Sequence, residues 1–223
     1  MLFRSGVGRM AAGLAHEVGN PLSAVLGYVD LLEAGVDDPV SAEDMLKRSR
    51  LELNRIHRII QSLLGYARAG SGELEVVNID EIIADALETV RHQPVFHAVD
   101  LVSDVEPTTP DVWIESDKLH QVLVNLLLNS ATATPSGAVR LIAQPSPEGG
   151  AEIRCEDNGP GFDPVALERA FEPFFTTKDV GEGTGLGLAT CQQVIEGAGG
   201  SIEMYNLVEK GACVRIRLPS SSP

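Results

Sequence analysis

Residues 7–32 read VGRMAAGLAHEVGNPLSAVLGYVDLL. Val7, Met10, Leu14, Val18, Leu22, Val25, Val29 and Leu32 recur there at spacings of three and four, the signature of one apolar helix stripe. Gly35 and the Asp37-Asp38-Pro39 stretch end that pattern and read as a loop. Beyond it Leu46, Ser49, Leu53, Ile56, Ile60, Leu63 and Ala67 repeat the alternation of three and four, so a second helix is expected beside the first. A lone hairpin of two helices buries too little apolar surface to stand alone. Pairing of two copies into a homodimeric four-helix bundle is the simplest way to cover both stripes.

The small residues of Ala69-Gly70-Ser71-Gly72-Glu73 mark a flexible boundary, after which the period changes. A strand is predicted over Glu75–Ile79, a helix over Glu81–Arg91, strands near Leu101 and Val112, and a helix over Lys118–Ala133. Strands over Val139–Ala143 and Ala151–Glu156 precede a glycine-rich loop, a helix covers Leu186–Glu196, and Ser201–Tyr205 with Cys213–Leu218 form a closing hairpin. The expected architecture is an all-α hairpin over residues 1–70 followed by an α+β two-layer sandwich over residues 74–219.

Composition narrows the function classes. The 223 residues carry 17 basic and 32 acidic side chains, a formal charge of -15, with no local basic stripe, so phosphate backbones are repelled. Aromatic residues make up 4%, too few for a base-stacking platform, and nucleic acid is set aside as a partner. Cys155, Cys191 and Cys213 are odd in number, lack a CxxC pair and suit buried positions in a reducing, cytoplasmic compartment. The uncharged run from Leu119 to Val139 is interrupted by Asn125, Asn129 and several hydroxyls, and no signal peptide is evident. No direct membrane contact is expected within these residues.

Four groups carry chemistry. On the first helix, His16 lies two residues from both Leu14 and Val18, about 200° around the helix, which turns its imidazole away from the apolar stripe. Glu17 beside it can hold the ring or take its proton, leaving the other nitrogen as a nucleophile. Asn20 shares its face at i+4, and Pro21 predicts a kink or local loosening. On the helix from Lys118, Gln121, Asn125, Asn129 and Thr132 form a polar face opposite Leu119, Val122, Leu126 and Ala133. Its carboxamide oxygens suit a hard cation bridging phosphates, although a solvated helix face reads the same way. In Asp157-Asn158-Gly159-Pro160-Gly161-Phe162, Asp157 can accept from an adenine amino group and Gly159 and Gly161 let backbone approach the base; a plain Asp-Gly turn is the other reading. Finally, Gly181, Gly183, Gly185 and Gly187 alternate ahead of a helix N-terminus, where free N–H groups favour phosphate. The Gly-Lys-Ser/Thr ending of a Walker loop and the GxGxxG pattern are both absent.

Taken in order, His-Glu-x-x-Asn-Pro, Asn-x-x-x-Asn, Asp-x-Gly-x-Gly, Phe-Glu-Pro-Phe-Phe and Gly-x-Gly-x-Gly resemble the sensor histidine kinases of two-component signalling over nearly the whole chain. The His-Glu-Val-Gly-Asn-Pro wording is similar to the nitrogen-regulatory branch. The resemblance implies an ATP-binding domain of the Bergerat type and autophosphorylation on His16, with transfer to an aspartate of a response-regulator receiver domain. It makes Glu17 the acid-base partner and Asn20 the orienter of water for dephosphorylation. Asn129 would ligate Mg2+ with Asn125 nearby, and Asp157 would read adenine in a pocket shaped by Gly159 and Gly161. Phe171, Phe174 and Phe175 would anchor a lid, Lys178 would reach phosphate, and Gly183, Thr184, Gly185, Leu186 and Gly187 would close over the nucleotide.

Three departures stand out: Thr132 replaces a basic residue common in relatives, the lid of Thr176–Glu182 is short, and the first helix begins almost at Met1. A longer protein with an upstream sensor region is the expectation, and the sequence leaves open whether that region is anchored in a membrane. The competing classes are a nucleotide-binding scaffold without kinase activity, and a serine kinase or ATP-driven clamp. Retention of His16, Asn129 and Asp157 speaks against the first, and the His-Glu-x-x-Asn hairpin against all of them.

Overall fold

The computed structural model describes residues 3–35, 38–67, 73–178 and 183–220, with the side chains of 3–17, 39–40, 58, 61–62 and 65–67 also outside the description. Asp37, most of the expected flexible boundary, and Gly181 and Glu182 of the lid therefore lie outside the described residues, as do the side chains of His16 and Glu17. Two compact units result: Met1–Ala67 with Glu172–Leu186, and Arg68–Phe171 with Gly187–Pro223.

In the first unit, α1 (Phe3–Glu33) and α2 (Pro39–Ala67) pack against each other. Gly35 leaves α1 with φ +89, a left-handed conformation that glycine adopts without steric cost. Pro39, expected in a loop, instead opens α2, where its fixed φ and missing N–H fit the first turn. Asp38 steadies that start: its Oδ2 accepts from the Ser41 N–H at 3.3 Å and from the Ser41 hydroxyl at 2.7 Å. Helix α1 runs unbroken through Pro21, which is buried. Ser49 and Ile59 are buried, yet Leu22, Leu26, Val29, Leu46, Leu53 and Ile60 remain exposed, Leu46 by 60%. Much of the expected apolar stripe is thus open in the single chain.

The second unit begins with β1 (Glu75–Val77), paired antiparallel with β3 (Val112–Ile114) as a small ribbon. The strand expected to reach Ile79 stops at Val77, because Asn78 caps α3 (Ile79–Arg91): its Oδ1 accepts from the Glu81 N–H at 3.1 Å while its Nδ2 donates to Asp111 at 2.9 Å. Strands β2 (Asp100–Val105), β4 (Ala138–Pro145), β5 (Ala151–Asp157), β6 (Ser201–Asn206) and β7 (Ala212–Leu218) form one sheet in the order β2-β4-β5-β7-β6. Only β2 and β4 run parallel. Helices α3, α4 (Ser116–Ala133) and α6 (Gly187–Gly197) contact the sheet, with α4 packed against both of the others, around a core that includes Ile83, Leu123, Leu127, Leu141, Ile153, Ile195 and Ile216. On the opposite sheet face Glu152 is ringed by Arg217 at 3.0 Å, Arg154 at 3.7 Å and Arg215 at 4.0 Å.

Two elements have no counterpart in the periodicity: a single 3-10 turn at Pro94–Phe96 that buries Phe96, and α5 (Pro164–Arg169), capped by Asp163. Both are too short to show a hydrophobic period. Ala133, expected on the apolar side of α4, is exposed because the helix ends there, while Ser130 and Ala131 turn inward.

Asp157, Ala212 and Asn206 form the last rung of the sheet across β5, β7 and β6. Gly211, just before that rung, has φ +112, and a Cβ there would lie 1.8 Å from the Asp157 carbonyl oxygen. Gly211→Ala should therefore force strand β5 and the 206–212 turn apart. We expect a loss of about 2–4 kcal/mol in chemical denaturation; a midpoint equal to wild type would show that the turn relaxes freely.

Cys155, Cys191 and Cys213 are free and buried. Burial pushes the thiols of Cys155 and Cys191 up to about 12 and that of Cys213 up to about 11. Almost no thiolate is present near neutrality, since the raised values favour the protonated form below them. The folded protein should resist an aromatic disulfide reagent at about pH 8 and expose all three thiols on denaturation. Rapid labelling of any one in the native protein would contradict the burial.

Candidate functional site

In the second unit, Asp157 is the most tightly organised of the expected site residues. It is the final residue of β5, only 6% exposed, and its Oδ1 accepts from the Gly159 N–H at 3.0 Å and the Ala212 N–H at 3.3 Å. Two backbone donors on one oxygen hold the carboxylate in a single orientation and leave Oδ2 for another donor. Gly159 turns tightly beneath it: a Cβ there would lie 2.9 Å from Asp157 Oδ1 and 3.2 Å from the Ala133 carbonyl oxygen. The end of α4 and the glycine loop are thereby brought together. Gly161 has φ +84, which a residue with a side chain adopts only at a cost.

Two asparagines that the motifs do not single out as site residues hold this loop. Asn158 Oδ1 accepts from the Thr134 hydroxyl at 3.0 Å and the Ala138 N–H at 2.9 Å, tying the loop to the α4–β4 turn. Gly137 lies against the same group, where a Cβ would fall 2.2 Å from Asn158 Oδ1. Asn206 grips Phe162 by both N–H and carbonyl. Asn158 carries a signal in the sequence, as the Asn of an Asn-Gly pair. Asn206 carries none, because it looks like the residue after a strand.

On α4, Asn125 and Asn129 are half-buried and one turn apart, with Gln121 and Thr132 exposed along the same side. The Asn125 Nδ2 points at the Cys191 sulfur at 4.0 Å. That contact turns the amide nitrogen towards α6. The Thr132 hydroxyl donates to the Leu128 carbonyl at 2.7 Å, so it bonds its own helix. Gly187 opens α6, and among the described residues nothing beyond its own helix and chain neighbours lies within 4 Å of where its Cβ would be.

In the first unit, the described residues 172–178 and 183–186 meet through their backbones. The Phe174 N–H donates to the Gly185 carbonyl at 2.9 Å, with Phe174 at φ +67 and Gly185 at φ +63. A Cβ on Gly185 would fall 2.4 Å from the Phe174 carbonyl carbon, so only glycine fits. Gly183 packs beside Thr176 and the Lys178 side chain, the Lys178 N–H donates to the Thr176 hydroxyl at 3.1 Å, and the Leu186 N–H reaches the Thr184 hydroxyl at 3.4 Å. Leu186 is fully buried, and Phe174 and Phe175 are partly exposed, as is Phe171 at the end of the second unit. His16, Glu17 and Asn20 lie on α1, where Asn20 is exposed.

Among the described residues, no cluster of three His, Cys, Asp or Glu side chains could hold a metal, and no helix is long and apolar enough to cross a membrane.

Comparison with known proteins accounts for both parts. Residues 7–72 match the His Kinase A (phospho-acceptor) domain, and residues 114–222 match the ATPase domain shared by histidine kinases, DNA gyrase B and HSP90. The chain is 34% identical over 214 residues to the signal transduction histidine-protein kinase AtoS of Escherichia coli, covering 96% of itself and 35% of AtoS. It thus spans about a third of that relative's length. Full-length ShkA, solved in complex with AMPPNP, superposes with a TM-score of 0.68 at 26% identity, over 96% of this chain and 46% of ShkA. The histidine kinase ThkA, solved with the response regulator protein TrrA, has the same fold with a TM-score of 0.78 at 24% identity, over 98% of this chain and 63% of ThkA. With the phosphoacceptor hairpin and the ATPase sandwich both matched, and in that order, the chain belongs to the sensor histidine kinase family.

Proposed function

We infer that residues 1–70 are a dimerisation and phosphoacceptor domain and that residues 74–219 bind ATP, the two together moving the γ-phosphate first onto His16 and then onto an aspartate of a response-regulator receiver domain. The observation that carries the reading is the Asp157 carboxylate, buried at the end of β5 with Oδ1 occupied by two N–H groups and Oδ2 available. An acceptor fixed this way suits an exocyclic amino group such as that of adenine.

In the reaction, a ring nitrogen of His16 attacks the γ-phosphorus, the bond from phosphorus to the β,γ-bridging oxygen breaks, and ADP departs. Glu17 accepts the ring proton, which keeps the attacking nitrogen's lone pair available. The receiver carboxylate next attacks the phosphoramidate phosphorus, the nitrogen–phosphorus bond breaks, and an acyl phosphate forms. Asn20, one helical turn from His16, orients a water that hydrolyses it. Lys178 and the N–H groups from Gly183 through Thr184, Gly185 and Leu186 to Gly187 would meet phosphate charge.

Mg2+ would fit the carboxamide oxygen of Asn129, with Asn125 beside it, since such an oxygen is the hard neutral donor that a phosphate-bound cation takes. When bound, the ion neutralises charge on the phosphate oxygens. The exposed apolar residues of α1 and α2 favour a homodimer. We place the reaction in the cytoplasm, in keeping with three unpaired cysteines. A scaffold without kinase activity has no observation in its favour.

Incubation with labelled ATP and magnesium should give a phosphoramidate that is acid-labile and alkali-stable. His16→Gln should abolish labelling while ATP still binds. Label that survives hot acid, or labelling undiminished in His16→Gln, would assign the chemistry elsewhere.

Asn20→Ala should keep autophosphorylation and transfer but lose most phosphatase activity toward the phosphorylated receiver. Because a positioned water contributes through the barrier, the loss should appear in rate more than in partner affinity. The assay is decay of the phosphorylated receiver in the presence of ADP, and equal decay with wild type and variant would remove the water-orienting role.

A further inference from the structure

The loop leaving Asp157 has its far end held by a residue that belongs to none of the motifs. Phe162 is gripped on both of its backbone groups: its N–H donates to Asn206 Oδ1 at 2.6 Å, and its carbonyl accepts from Asn206 Nδ2 at 2.9 Å. A carboxamide is the one neutral side-chain group that offers a donor and an acceptor side by side, which is what this double contact requires.

The position of Asn206 is set by the sheet. It pairs with Ala212 in the last rung of β6 and β7, and Ala212 pairs with Asp157 in the last rung of β5 and β7. Directly paired residues project to the same face, so Asp157 and Asn206 stand in one row, two strands and about 10 Å apart, with the methyl of Ala212 between them. Residues 158–162 bridge that interval. Their near end is fixed by Asn158 on Thr134 and Ala138, and their far end by Asn206. The glycines answer to the same arrangement: a Cβ on Gly161 would lie 2.8 Å from Asn206 Oδ1.

We propose that Asn206 is a positioning residue for nucleotide binding, holding the far end of the Gly159–Gly161 loop in the shape that lets its backbone lie against the adenine received by Asp157. The proposal rests on the reading of Asp157 as the adenine acceptor. Asn206 does not touch the nucleotide; it acts through Phe162. Because Asn206 is exposed, removing its carboxamide leaves the Phe162 groups to water, at little cost to the fold. What is lost is the preset order of the loop, which binding must then restore.

The test compares wild type, Asn206→Ala, Asn206→Asp and Asp157→Asn in calorimetric titrations with ADP and with a non-hydrolysable ATP analogue, below the unfolding midpoint of each. Asn206→Asp keeps the shape and one acceptor but sets a second oxygen against the Phe162 carbonyl. Both Asn206 variants should bind either nucleotide about tenfold more weakly. Their autophosphorylation rate at saturating ATP should stay within about twofold of wild type, so that KM moves and kcat does not. Asn206 variants with wild-type affinity, alongside an Asp157→Asn protein that has lost it, would overturn the proposal and leave the adenine reading standing. A fall in kcat with KM unchanged would also overturn it. Asp157→Asn with undiminished affinity would instead remove the adenine reading and the proposal with it.

Discussion

A carboxylate at the end of a buried strand is costly unless its orientation is fixed and its oxygens are met by donors. At Asp157 that requirement is satisfied by the Gly159 and Ala212 N–H groups, and much of the surrounding local structure follows from it. Gly159 must double back to offer its N–H, which places it against the Ala133 carbonyl. Ala212 must come close, which makes Gly211 pass over the Asp157 carbonyl where no side chain fits. The terminal rung, the glycine loop and the end of α4 are thus different consequences of seating one charged group.

Much of this is legible in the sequence, and the reasons differ by element. The helices α3, α4 and α6 and most strands of the large sheet announce themselves by period, because each buries one face, and α1 does so by a stripe that the single chain leaves largely uncovered. The turn at Asp157 is readable because glycines spaced as Gly159 and Gly161 after a strand mark a tight backbone path, which the structure shows. Pro39 reads as a loop residue because a proline looks the same at a loop and at a first helical turn; the Asp38–Ser41 contact decides between them. The strand at Glu75 is carried too far by its pattern because Ile79 continues an apolar run that is shared by two elements. Asn206 is invisible because its role depends on register across three strands, which no local window contains. The long-range pairing of residues 44 positions apart is a property of the sheet and not of either segment.

Where Phe174 meets Gly185, glycine answers two different demands. In the motif reading, the alternating glycines serve phosphate. Gly185 has a second and more immediate need, since its Cα faces the Phe174 backbone, and both residues take left-handed conformations there. Gly187, by contrast, faces open space. Two glycines in one motif are therefore held for different reasons, one by the chain's own closure and one by the room it leaves.

The helices α1 and α2 leave Leu22, Leu26, Val29, Leu46 and Leu53 uncovered, whereas the sandwich closes its own core. The two units therefore obey different laws of mass action. Burial of those leucines against a second chain makes folding of the hairpin a bimolecular event, whose midpoint rises with protein concentration, while the sandwich unfolds at a temperature indifferent to it. Dilution alone would then melt the two helices and leave the sandwich intact, so the level of the protein itself sets how much of the hairpin is folded.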